Sequence, residues 1–236
     1  MYFFFHLVTG VIIGLLLGDM LRDHRWVIPC AAGAILPDLI DKPVGFILFG
    51  ATIDNGRIWF HSLLICALVF GIGVVVWEYR RSPLGVAAAV GIFSHQVLDL
   101  MWRQPVTWFY PLLGPFREKY PAGHLFALLL QELTNPWEWM LMGLVALGLV
   151  LYVNRERVVK DVQNYPRAVR ACLMIIILVL GLLSIALFII GLVDTHLFLF
   201  DWTRPEEYII GSIVIGLGAY LLWRWRLFVT SGYPYT

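Results

Sequence analysis

The sequence predicts an all-α, polytopic membrane bundle of about seven spans, one of them broken or re-entrant near Pro37. Three observations carry that expectation. Of the 236 residues, 60% are hydrophobic and only 14% charged. The mean hydropathy is +0.80, outside the range of soluble domains. Apolar runs long enough to cross about 30 Å of hydrocarbon, at about 1.5 Å per helical residue, recur along the chain.

The first run, residues 2–21, has no basic segment before it and no small-residue cleavage site after it, so it reads as a retained helix rather than a removable signal. The second, residues 26–50, is interrupted by Leu36-Pro37-Asp38, with Asp41-Lys42-Pro43 following. A break there is tolerable only where the freed backbone faces protein or water. A break at Pro37 would also raise Asp38 from mid-membrane toward the membrane surface. Runs at 59–78, 84–101, 136–153, 171–194 and 207–225 complete the set. The loop 102–135 carries Trp108, Tyr110-Pro111 and an amphipathic stretch around 124–134, and reads as a lid or interfacial segment. Trp59, Trp102, Trp108, Trp137 and Trp139 read as an aromatic belt.

Charge orients the bundle. In a seven-span arrangement eleven of the 17 basic residues, from Arg22 to Arg226, fall on one side. The positive-inside rule then puts that side and the C-terminus in the cytoplasm of a cell (inner) membrane protein, with the N-terminus outside. A net charge of +1 with no basic block argues against nucleic acid as a partner. Cys30, Cys66 and Cys172 lie in apolar stretches without CxxC spacing, which indicates neither a disulfide framework nor a thiolate metal site.

Against this apolar background His6, Asp38, His61, His95 and Asp99 stand out. Ionisable groups are costly in hydrocarbon and survive there when paired, wetted or bound to a metal. His95 and Asp99 are four residues apart, on one helix face, with Cβ atoms about 5–6 Å apart. Both can reach one ion, and zinc accepts imidazole nitrogen and carboxylate oxygen alike. The orientation places His6, His61, His95 and Asp99 near the outer ends of their spans. A purely structural alternative has His61 capping a helix, Asp38 pairing with Lys42, and His95 bonding Asp99.

The order of His6, then Leu36-Pro37-Asp38-Leu39-Ile40-Asp41-Lys42-Pro43, then Gly56-Arg57-xxx-His61-Ser62, then Ser94-His95-xxx-Asp99, followed by Pro105 and Tyr110-Pro111, carries a family resemblance. It resembles the YdjM-like membrane-bound metal-dependent hydrolases, also described as LexA-binding, inner membrane-associated hydrolases, over roughly residues 1–115. Many members carry His-Arg-Gly-x-Thr-His-Ser. Here Gly56 stands in place of the first His and Phe60 in place of the Thr. The same order is similar to the zinc-dependent phospholipase C and P1-type nuclease group, whose helical folds hold zinc clusters and cleave phosphodiesters. That similarity implies Asp38, His61, His95 and Asp99 around one zinc, with His6 and Asp99 sharing a second. A third zinc requires a further His and a His-xxx-Glu. His124 is available as a ligand, but Glu132 lies eight residues on rather than four.

The expectation is therefore a metal-site domain, residues 1–135, followed by three further spans of the same bundle, residues 136–236. It would be a hydrolase of ester or phosphoester bonds using one to three zinc ions, or manganese or another divalent metal. A membrane lipid or lipid-linked substrate at the outer surface is the natural partner. Asp41 is expected to orient a ligand His or act as general base, and Arg57 to bind a phosphate oxygen or pair with Asp54. Two other classes stay open: an ion- or proton-coupled transporter, with polar groups near the midplane, and a metal-free scaffold or regulatory protein.

Overall fold

A computed structural model of the chain describes residues 3–116, 124–153, 166–193 and 204–231. Helices dominate, and no strand occurs among the described residues. They are α1 (Phe3–Leu21), α2 (Val27–Pro43), α3 (Leu63–Arg80), α4 (Leu84–Leu98), the short α5 (Pro105–Trp108), α6 (His124–Thr134), α7 (Pro136–Val153), α8 (Pro166–Val193) and α9 (Pro205–Ser231). Four of them, Phe3–Leu21, Leu63–Arg80, Arg167–Val193 and Pro205–Arg224, are long and apolar enough to cross a membrane.

Of the remaining runs, 136–153 forms α7 as expected, and the other two differ. The apolar run at 84–101 forms a helix of only 15 residues, because Leu100 takes a left-handed conformation (φ 53°) just past its end. The run at 26–50 yields a 17-residue helix that carries Asp38, Asp41 and Lys42. This helix passes unbroken through Pro37, so the predicted break there is corrected. Pro37 is fully buried, a setting in which close packing makes up for the lost hydrogen bond. The irregularity comes after Pro43, where the chain widens into a π-helical turn over Val44–Leu48. The third helix starts at Leu63 rather than near residue 59, capped by Ser62, whose Oγ accepts the Ile65 N–H at 3.4 Å. His61 therefore lies in the preceding turn and does not cap the helix.

The chain divides into two compact units, Met1–Met142 and Gly143–Thr236. In the first, α2 packs between α1 and α4, and α3 packs on α4. Small residues set these distances. Gly10 and Gly14 of α1 face Ala31, Ala34 and Val27 of α2, and a Cβ on Gly10 would come within 2.6 Å of the Ala34 Cβ. Between α2 and α4 the fit is tighter: a side chain on Gly33 would collide with the Ala88 carbonyl, and one on Gly91 with the Cys30 carbonyl. Small-residue seams of this kind let membrane helices approach closely enough for van der Waals packing to hold them. Glu138, in the first turn of α7, accepts the Phe4 N–H at 2.9 Å and so satisfies an otherwise orphaned donor at the start of α1.

One end of this unit is basic. Arg22 follows α1, Arg80 and Arg81 end α3, and Arg25 bridges them by donating to the Arg81 carbonyl at 3.4 Å. Arg25 also forks onto Asp23, and those hydrogen bonds hold the Asp23 carboxyl below the usual carboxylate range. In the second unit α8 and α9 form an antiparallel pair. Ser184 donates to the Ser212 carbonyl at 2.8 Å, and Gly191 packs against Pro205 and Ile209.

Gly91→Val is expected to overpack the α2–α4 seam and lower thermal stability in detergent, at a cost of about 1–3 kcal/mol. Gly71→Ala, where nothing lies within 4 Å of the added carbon, is expected to be neutral or stabilising. Melting curves of the two variants, read by circular dichroism, check this contrast.

Candidate metal centre

Alternating helix directions bring the polar residues to one end of the first unit. His6 lies near the start of α1, Asp38 and Asp41 near the end of α2, His61 just before α3, and His95 and Asp99 at the end of α4. This is the end opposite the arginines. Asp38 reaches it without any break in its helix, because α2 ends soon after, at Pro43.

The two central imidazoles are fixed from behind. Asp41, fully buried, accepts the backbone N–H groups of Ile58, Phe60 and His61 at 3.0, 3.2 and 3.1 Å, and faces His61 Nδ1 at 2.8 Å. The Ala34 carbonyl faces His95 Nδ1 at 2.7 Å. A carbonyl and a carboxylate only accept, so both Nδ1 atoms carry a proton, and in the neutral rings both Nε2 atoms present lone pairs. These two Nε2 atoms face one another at 3.2 Å.

Carboxylates surround the same point. Asp38 Oδ1 lies 3.7 Å from His61 Nε2 and 3.8 Å from His95 Nε2, and Asp99 Oδ2 lies 3.7 Å from His61 Nε2. One ligand atom from each of Asp38, His61, His95 and Asp99 falls within 4.8 Å of every other. His6 completes the wall, with its ring stacked on His95 at a centroid distance of 3.9 Å. Its Nε2 is 3.2 Å from Asp99 Oδ1, and among the described residues the Nδ1 of this fully buried ring has no hydrogen-bond partner.

Facing lone pairs beside two carboxylates repel unless positive charge sits among them. A proton fits only the nitrogen–nitrogen axis, whereas a divalent cation engages all four donors at once. Two imidazoles and two carboxylates suit zinc and other borderline divalent ions. The donor set therefore fits a metal, and Asp41 and Ala34 supply the outer contacts that metal-binding histidines normally have.

Several residues depart from their sequence reading. Arg57 pairs with Asp99 rather than Asp54, reaching Oδ2 through Nε and Nη2, both at 2.9 Å. The segment 57–62, which carries Arg57 and His61, is irregular rather than helical. Lys42 does pair with Asp38, reaching Oδ2 at 2.8 Å, as the structural alternative had it. His124 opens α6 and Glu132 lies within it, but both side chains fall outside the described residues.

Two contributors escape sequence reading. Gln96 donates to the Phe60 and Ser62 carbonyls at 3.1 and 3.0 Å, so it clamps the backbone on both sides of His61. Trp108, read as part of an aromatic belt, instead donates from Nε1 to Gln96 Oε1 at 3.0 Å. A buried amide next to His95 in an apolar run was the available signal. The Ala34 carbonyl left none, since any residue supplies one.

Fold and site together define an all-helical membrane protein with a buried His and Asp cluster built like a cation site. The chain belongs to the family described as YdjM inner membrane protein, whose model matches residues 1–226. No curated protein and no solved structure matches it.

Asp41→Asn, which weakens the acceptor behind His61, is expected to lower zinc affinity about 10–100-fold without removing a direct ligand. Competition of the purified protein against a chromogenic chelator measures this.

Proposed function

We propose that this protein is a membrane-embedded, metal-dependent hydrolase of ester or phosphoester bonds, acting on a lipid or lipid-linked substrate at the outer membrane surface. The observation that carries the reading is the convergence of two imidazole Nε2 atoms 3.2 Å apart with the Asp38 and Asp99 carboxylates. Asp38, His61, His95 and Asp99 would hold one ion, and His6 with Asp99 a second. A bound divalent cation would acidify water and stabilise charge developing on a phosphoryl or carbonyl oxygen. The phospholipase C and P1 nuclease resemblance supports this chemistry by analogy.

The chain's own residues supply the rest. Asp41 holds the His61 ring, and four donors converging on its buried carboxylate favour positioning over proton transfer. Gln96 fixes the turn that carries His61. Hydrolysis adds water across the scissile bond: its oxygen joins phosphorus or the carbonyl carbon, and the leaving oxygen takes up a proton.

Sidedness favours an enzyme over a transporter. The site residues gather at one end of α1 to α4, whereas a transport pathway places its polar groups near mid-membrane. The opposite end carries Arg22, Arg25, Arg80 and Arg81, which supports a cytoplasmic assignment for it and an outer-facing site in a seven-span topology. His124 and α6 would lie over that outer end.

Asp99→Ala and His95→Ala are expected to lose bound metal and all hydrolysis of soluble phosphate or carboxylic esters, a fall of at least about 1,000-fold in turnover. Elemental analysis and a product assay on detergent-purified protein check both. Metal-free wild-type protein would leave the scaffold reading in its place.

A further inference from the structure

Two cations stand against the acceptor cluster. Lys42 engages Asp38 Oδ2 and Arg57 engages Asp99 Oδ2, so each holds one of the two carboxylates in the four-donor set. They are also its accessible part. The Lys42 and Arg57 side chains are 22% and 29% exposed, against 7% for Asp38, 4% for Asp99 and 0% for His61 and His95.

Charge makes the arrangement selective. With neutral imidazoles, Asp38, Asp41 and Asp99 against Lys42 and Arg57 leave one net negative charge. A divalent cation among the donors turns this into a net positive charge in a site largely shielded from water, where unbalanced charge is costly. An anion restores the balance. A guanidinium offers a planar fork matched to two oxygens, and an ammonium offers a compact point charge. A phosphoryl group presents several charged oxygens, whereas a carboxylic ester presents none.

We propose that Lys42 and Arg57 are specificity-determining residues that exchange their carboxylate partners for the oxygens of an anionic phosphoryl group, making a phosphate ester rather than a carboxylic ester the substrate class. This rests on the hydrolytic reading above and narrows it. The head group of a lipid phosphate and free inorganic phosphate share the recognised chemistry.

The test is calorimetric titration of the zinc-loaded, full-length protein in detergent with inorganic phosphate, short-chain phosphatidic acid and acetate, with metal content measured in parallel. Phosphate is expected to bind wild-type protein and to bind Lys42→Met and Arg57→Met about tenfold or more weakly at unchanged metal content, with acetate weak throughout. Equal binding of phosphate and phosphatidic acid assigns recognition to the phosphoryl group alone. Tighter binding of the lipid adds a contribution from its tail, and both results support the proposal. Phosphate affinity equal in wild type and both variants overturns it. So does turnover of a neutral carboxylic ester that phosphate does not inhibit, which would leave the hydrolase reading standing. Failure of the wild type to take up any divalent metal removes the hydrolase reading and this proposal with it. Should either Met variant lose metal or unfold, Arg57→Lys and Lys42→Arg keep the charge and change only donor geometry. A several-fold drop in their phosphate affinity supports the proposal, and an unchanged affinity overturns it.

Discussion

Two imidazole nitrogens with their lone pairs aimed at each other, 3.2 Å apart, form the constraint around which the first unit is organised. Left alone the pair is repulsive, and neither ring can turn away. His61 is held at Nδ1 by a carboxylate that also anchors the backbone of its own turn. His95 is held at Nδ1 by a main-chain carbonyl of α2. Both anchors are buried, so releasing either ring would strand a polar group where water cannot replace the lost bond. The fold thus maintains a concentrated acceptor site, and stability that could have gone into a dry interface is spent on keeping it in place.

The helix seams serve the same end. Gly33 and Gly91 let α2 and α4 come together with backbone against backbone, and that proximity places the Ala34 carbonyl within reach of His95. With larger residues along this seam the ring would have no anchor and would be free to rotate its nitrogens away from the cluster. Packing and chemistry are coupled through a main-chain atom. The Gln96 clamp extends the coupling outward, since its amide joins α4 to the turn holding His61 on one side and to Trp108 on the other. Order at the end that carries the cluster therefore depends on Trp108, although that residue contributes no donor to it.

The ligand-type residues were legible as anomalies: His6, Asp38, His61, His95 and Asp99 are ionisable groups inside apolar runs, and their cost in such surroundings marks them. The partner of Arg57 was not legible. Asp54 is three residues away and Asp99 forty-two, and only folding brings the distant carboxylate to the guanidinium. Pro37 misleads in the other direction. Its ring removes one hydrogen bond, which in an isolated helix is enough to suggest a break, but the helix runs through it in a fully buried setting. Span counting meets a related limit, because the helices of α2 and α4 end early where polar residues and a left-handed Leu100 redirect the chain.

By itself the sequence determined that the chain is a helical membrane protein and which residue types are out of place in it, because hydrophobicity, helical period and the cost of burying charge are local properties. Tertiary structure decided which nitrogen of each histidine faces the site, which carboxylate each cation holds, and where the irregular turn of the second run falls. Those outcomes depend on contacts between residues far apart in sequence, above all a carbonyl and a glycine seam, which carry no signature until the helices are packed.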